Sequence, residues 1–221
     1  MNKHFLISLL LLILFPIFSI QEVFENYILI YGEGPYGQHP LEFEVRNYTK
    51  DDAENIAIQE IAAYMSGIIY GYTFEYQIDN PINKRKDFFE LIPVKQLSIK
   101  DTNFDFRQYE ISNVSIRVQG IYRLYADQKS YIQGYRTARV LTSQGEYDLL
   151  NSQDWDNRYK SFELAVKNAI LNYAKTSLKS RPLTITGKLN LRESPKFSIT
   201  SGAWRVRVKI NLIISEIEYQ E

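Results

Sequence analysis

The chain has 221 residues, is 45% apolar and 24% charged, and carries 26 basic against 26 acidic side chains. This is an ordinary globular balance, with no disorder signature and no net field to draw the chain onto nucleic acid or an anionic membrane. It has no cysteine and two histidines, one of them His4 near the start; disulfides, thiolate nucleophiles, cysteine metal sites and lipidation of an N-terminal cysteine are excluded, and His39 alone argues against a Ser-His-Asp triad or a multi-histidine metal centre. Tyrosine is abundant, at 17, which suits strands and surfaces that bind through amphipathic rings.

Met1 to Ser19 reads as a secretory signal, with Lys3 in the positive region, an apolar run from Phe5 to Phe18 broken by Ser8, and a small-residue cleavage site at Ser19. The mature chain is expected to start at Ile20 or Gln21, in the periplasm or cell envelope. An uncleaved anchor is the rival reading, but the run is shorter than the ~20 residues of a spanning helix, and Glu22 and Glu25 follow it. No later run approaches membrane length, so attachment to a membrane would come through a partner or an uncleaved leader.

Tyr27 to Tyr31 is a short strand, followed by Gly32-Glu33-Gly34-Pro35-Tyr36-Gly37. That matches G-x-G-x-x-G, but a dinucleotide site needs a helix N-terminus at once. Here Pro40 follows, and Leu41, Phe43 and Val45 alternate with Glu42, Glu44 and Arg46 at strand period. A kinase glycine loop sits between strands, yet no HRD or DFG motif accompanies it. A glycine-rich connection is the expectation. Thr49 then caps a first helix whose stripe is Ala53, Ile56, Ala57, Ile61 and Tyr64; its alanines predict close approach of a sheet, and Gly67 is expected to end it. Ile68 to Ile78 reads as a strand with a bulge at Gly71.

Asn80 to Arg107 is the least periodic part. Its triplet Lys84-Arg85-Lys86 reads as a solvated loop, with a phosphate or headgroup site as the alternative. Val114 to Tyr125 alternates as a long strand, Asp127 to Ser130 reads as a turn, and Tyr131 to Thr142 as its hairpin partner. Gln144 to Ser152 is a polar lead-in. The longest helical pattern follows, from Trp155 to Leu178, with Phe162, Val166, Ala169, Ile170 and Tyr173 on one face and Pro182 as the stop. Asp154-Trp155-Asp156 reads as a helix cap; the rival is a metal-holding carboxylate pair. Leu183 to Leu191 alternates as a strand, Glu193 to Lys196 turns, and Trp204 to Leu212 closes the chain as its clearest strand, with Arg205, Arg207 and Lys209 outward.

The motif Ala53-x3-Ala57-Ile58-x3-Ala62 returns as Ala165-x3-Ala169-Ile170-x3-Ala174. The fold class expected is α+β: two amphipathic Ala-rich helices on antiparallel sheet, built as a duplicated strand-helix-strands unit (residues 20–145 and 146–221 after a leader of 1–19) or as one continuous domain, 20–221.

Tyr31-Gly32-Glu33-Gly34, with Asp52-Ala53-x3-Ala57-Ile58-x3-Ala62, Ser66-Gly67-Ile68, Ile185-Thr186-Gly187 and Trp204-Arg205-Val206-Arg207-Val208, resembles exported bacterial envelope modules: the N-terminal domain of FlgT-type flagellar assembly proteins and small outer-membrane lipoproteins. The resemblance implies a non-catalytic envelope protein and carries over no catalytic residue.

The favoured function is structure or assembly of an envelope complex through protein–protein contacts, with Arg205, Arg207, Lys209, Arg117 and Arg123 as candidate contacts. A periplasmic protein binding a small ligand or glycan in a helix–sheet groove is the alternative. A hydrolase using a carboxylate pair such as Asp101 and Asp105 stands third. Catalytic, cofactor and metal sites are expected to be absent. The sequence leaves the oligomeric state open.

Overall fold

The computed structural model describes residues 26–38, 46–79, 86–137, 141–149, 155, 157–178, 180, 182–200 and 203–219. The segment 1–19 expected to be a leader, His39, the alternating segment Leu41–Val45, Lys84, Arg85, Asp154 and Asp156 lie outside them. Among the described residues no helix is long and apolar enough to cross a membrane.

The class is α+β, and its sheets are antiparallel. Strand β1 (Tyr27–Pro35) pairs with β7 (Ser115–Arg123), which pairs with β6 (Phe104–Ile111). A short pair, β2 (Gly37–Gln38) with β3 (Asn47–Tyr48), precedes helix α1 (Lys50–Ile69). In the second sheet the long β11 (Ala203–Tyr219) has β8 (Leu141–Leu149) on one side. On its other side lie β10 (Lys196–Thr200) and β9 (Pro182–Leu191), and β4 (Tyr72–Gln77) and β5 (Phe88–Pro93) continue outward from β9. Strands from the first half of the chain therefore extend the sheet of the second.

Helix α1 lies on β1 and β7, and helix α3 (Asn157–Ser177) lies on β8 and β11. The repeated alanines are the contact in both places. A Cβ on Gly34 would stand 2.9 Å from the Ala53 Cα, and one on Gly145 would stand 3.0 Å from the Ala169 Cα. Small residues thus face glycines, and helix backbone rests on strand backbone. The helices meet where the Tyr64 and Phe162 rings lie 5.3 Å apart, and one buried apolar cluster runs through both sheets.

Several expectations are corrected. Gly32 and Gly34 belong to β1 itself, because they make room for α1. Helix α1 passes through Gly67, where the Tyr72 ring folds against it, and ends at Ile69; Gly71, at φ +75°, makes the turn into β4 rather than a bulge. Thr49 does cap α1: its Oγ1 accepts from the Asp52 N–H at 3.2 Å, and Asp52 Oδ2 accepts from the Thr49 N–H at 3.0 Å. The hairpin expected over Asp127–Thr142 is instead helix α2 (Ala126–Gly134), started by Gln128 Oε1 accepting from the Tyr125 N–H at 2.9 Å, followed by β8. Gln128 and Ile132, one turn apart, are its buried residues. The polar stretch from Gln144 is also strand.

Candidate functional site

A cleft of about 420 Å³ lies between β1 of the first sheet and β10 of the second, beside charged groups. Leu29 to Glu33 form one wall, Ser194 to Phe197 the other, and Glu60, Tyr64 and Arg158 reach in from α1 and α3.

The β1 wall is a sheet edge. In an antiparallel pair successive residues turn their N–H and C=O alternately toward and away from the partner strand. The Glu33 N–H points away from β7, because it donates to Glu60 Oε2 at 2.9 Å. Asn26 and Tyr36, of the opposite parity, bond toward β7: Asn26 C=O accepts from Leu124 and the Tyr36 N–H donates to Val114, each at 2.9 Å. Leu29 and Tyr31 share the parity of Glu33, so their N–H and C=O groups face the cleft. Among the described residues nothing hydrogen-bonds to those groups. Tyr31, 40% exposed, and Tyr109, 59% exposed, bring their rings to 4.9 Å at the rim.

Beside this edge lies a buried ion pair. Arg158 is 6% exposed. Its Nε donates to Glu60 Oε1 at 2.7 Å, and its Nη2 lies 3.4 Å from Glu60 Oε2 and 3.7 Å from Glu33 Oε2. Ser115 Oγ donates to Glu33 Oε1 at 2.8 Å, which fixes that carboxylate. Among the described residues Nη1 has no hydrogen-bond partner; the guanidinium instead lies against the rings of Phe197 (3.8 Å), Trp204 (4.8 Å) and Trp155 (5.0 Å). Burial works against the charge, but Glu60, then Tyr64 and Glu33, hold the Arg158 pKa above its usual value. Burial, followed by the charge of Glu60, pushes the Tyr64 phenol well up, so it stays neutral. The assembly locks α1 to α3 and braces the cleft. Both carboxylates are engaged by partners in this arrangement.

Of the candidate contact residues Arg205, Arg207, Lys209, Arg117 and Arg123, only Arg117 is among the residues that line this cleft, and its Nη1 lies 3.2 Å from Glu110 Oε2. Arg123 is exposed on the same strand. Arg205 and Arg207 both reach Glu146 across the β8–β11 pair, at 3.4 and 2.9 Å, and Lys209 reaches Glu193 at 3.3 Å. The outward row is thus matched by carboxylates. Asp101 accepts from Tyr122 Oη at 2.9 Å and from the Asn103 N–H at 3.0 Å, and Asp105 binds Arg107 at 2.6 Å; the two serve local structure and line no described cleft. Among the described residues no group of three or more metal-ligating side chains comes together. Glu60 and Arg158 escaped the sequence reading, although each is a charge at helical spacing on the apolar stripe of an alanine-motif helix.

A model of an uncharacterised protein family matches residues 36–219. The chain belongs to that family. The span shared with the family holds Glu60, Arg117, Arg158 and Phe197, and β1 precedes it. No curated protein and no solved structure matches the chain.

Proposed function

We propose that the protein is a non-catalytic component of the cell envelope that holds an extended segment of a partner protein along the edge of β1 at Leu29 and Tyr31, which is open among the described residues. The observation that carries this reading is the run of outward backbone groups at Leu29 and Tyr31, open to the cleft beside an aromatic rim. A strand laid there gains main-chain hydrogen bonds for affinity, and the pockets at the rim sort its alternate side chains. The fixed Glu60–Arg158 brace keeps the edge in place before the partner arrives, which lowers the ordering cost of binding. The exported location rests on the leader, Met1 to Ser19.

The test uses the mature chain from Ile20 as bait in a gentle extract of its own cell envelope, with mild cross-linking. Leu29→Pro is the informative variant. It removes an N–H that points into the cleft and leaves the β1–β7 ladder intact, the position at which an edge strand tolerates proline. A stoichiometric partner captured by the wild type and lost with a folded Leu29→Pro supports strand addition. Capture that survives the substitution refutes it. Sedimentation of the purified chain separates the remaining occupant, a second copy of the protein paired edge to edge.

A further inference from the structure

A second cavity has a different chemistry. It measures about 310 Å³ and lies where the end of α1 and the C-terminal end of α2 meet the outer face of β9 and β11. Its floor is a pair of buried amides, Asn190 at 3% and Asn211 at 8% exposure, which are register partners across the two strands. Burying two amides in a sheet is costly unless they are satisfied. Their orientation follows from a fixed acceptor: the Ile68 C=O accepts from Asn190 Nδ2 at 2.8 Å, so Asn190 presents Oδ1 to its neighbour. Asn211 Nδ2 donates to that Oδ1 at 2.9 Å. Asn211 Oδ1 is then left without a donor among the described residues, in a side chain that lines the cavity.

Arg136 and Arg192 stand on the walls, and neither guanidinium has a hydrogen bond or ion pair among the described residues. They contrast with Arg205, Arg207 and Lys209, each answered by a carboxylate. Among the described residues no carboxylate lines this cavity, and Thr137 and Thr142 add two polar side chains. Two unpaired guanidiniums favour a planar or tetrahedral oxyanion, while Asn211 Oδ1 asks for a neutral donor such as a hydroxyl. The volume sits at the small end of the usual range of about 300–1,000 Å³ for ligand pockets.

We propose that this cavity binds a small polar organic molecule carrying one anionic group, carboxylate or phosphate, between Arg136 and Arg192, with a hydroxyl or N–H of the same molecule on Asn211. The site is separate from the β1 edge, and its occupancy does not depend on strand addition there.

Calorimetric titration of the mature chain decides it, with glycerate, glycerol 3-phosphate, inorganic phosphate and glycerol as probes. Glycerate against glycerol 3-phosphate tells the carboxylate from the phosphate source. At least one of these two is expected to bind with a Kd below about 1 mM, more tightly than inorganic phosphate or glycerol. Arg136→Gln with Arg192→Gln weakens that binding about tenfold or more. Asn211→Leu erases the advantage of the hydroxylated probe over inorganic phosphate. Both arginines are exposed, so the double variant should melt with the wild type when no probe is present; if it melts lower, Arg136→Lys with Arg192→Lys replaces it, keeping the charge and losing the fork. The proposal is overturned if neither organic anion binds below about 1 mM, if glycerol binds as well as they do, if the arginine variants bind unchanged, or if Asn211→Leu keeps the full advantage of the hydroxylated probe.

Discussion

Gly145→Ala is the sharpest perturbation of the fold. Gly145 sits opposite Val208 in the β8–β11 ladder, beneath α3. An added methyl would fall inside the envelope of the Ala165 carbonyl oxygen and the Ala169 nitrogen and stand 3.0 Å from the Ala169 Cα. All three are backbone atoms, so no side chain can swing aside and the helix must lift. Three side-chain hydrogen bonds pin it down. Ser143 Oγ donates to the Ala169 C=O at 2.6 Å, Asn168 Nδ2 to the Glu146 C=O at 2.9 Å, and Asn172 Nδ2 to the Gln144 C=O at 3.0 Å. Overpacking costs about 1–3 kcal/mol, and weakening three bonds worth about 1 kcal/mol each adds a part of their sum. A loss of about 3 kcal/mol lowers Tm by about 6–12 °C for a chain of this size. Thermal unfolding followed by circular dichroism reads it, with Gly134→Ala as the control. That glycine has nothing within 4 Å of an added Cβ, and alanine should hold or raise stability there. Equal melting of Gly145→Ala and the wild type would refute the close seating of α3 on β8.

Glu60→Gln leaves Arg158, with its side chain 7% exposed, beside only the more distant Glu33 carboxylate, and should cost about 3–5 kcal/mol in urea unfolding. Pairing it with Arg158→Met should recover more than half; no recovery would deny that the two side chains act as a pair. Burial, opposed by Lys160, raises the Glu163 pKa above 4.5. A carboxyl whose folded pKa exceeds its unfolded one favours folding fully below the unfolded value and loses that contribution as pH rises through the folded value. Glu163→Gln should therefore change Tm little well below pH 4.5 and raise it above neutrality, where the wild type must hold a half-buried charge.

The parts of the fold that the sequence revealed are those set by local rules. The Thr49 cap, the alanine faces of α1 and α3, and the alternation of β7, β9 and β11 are written in short-range spacing. Where tertiary packing decides, the pattern is silent. The inward residues of β8 include Ser143 and Gly145, small because a helix backbone rests on them, so the strand looks like polar linker. Gly32 and Gly34 mislead for the same reason. In α2, nine residues with turn-forming Asp127 and Ser130 imitate a hairpin. That the edge groups of Leu29 and Tyr31 find no partner among the described residues is invisible in sequence, since it depends on the whole topology. The outward Arg205 and Arg207 were plain, but Glu146 opposite them comes from a strand that the pattern did not show. Arg136 and Arg192 come from distant stretches and come to line one cavity only in the fold.

Residue-resolved amide hydrogen exchange across Tyr27–Gly34 reads strand addition at the backbone groups themselves, first on the free protein and then on the cross-linked complex with its captured partner. Fast exchange at Leu29 and Tyr31 and slow exchange at Ile28 and Ile30 are expected in the free protein, with Leu29 and Tyr31 becoming protected in the complex. Protection of Leu29 and Tyr31 already in the free chain, or their continued fast exchange in the complex, would contradict strand addition at β1.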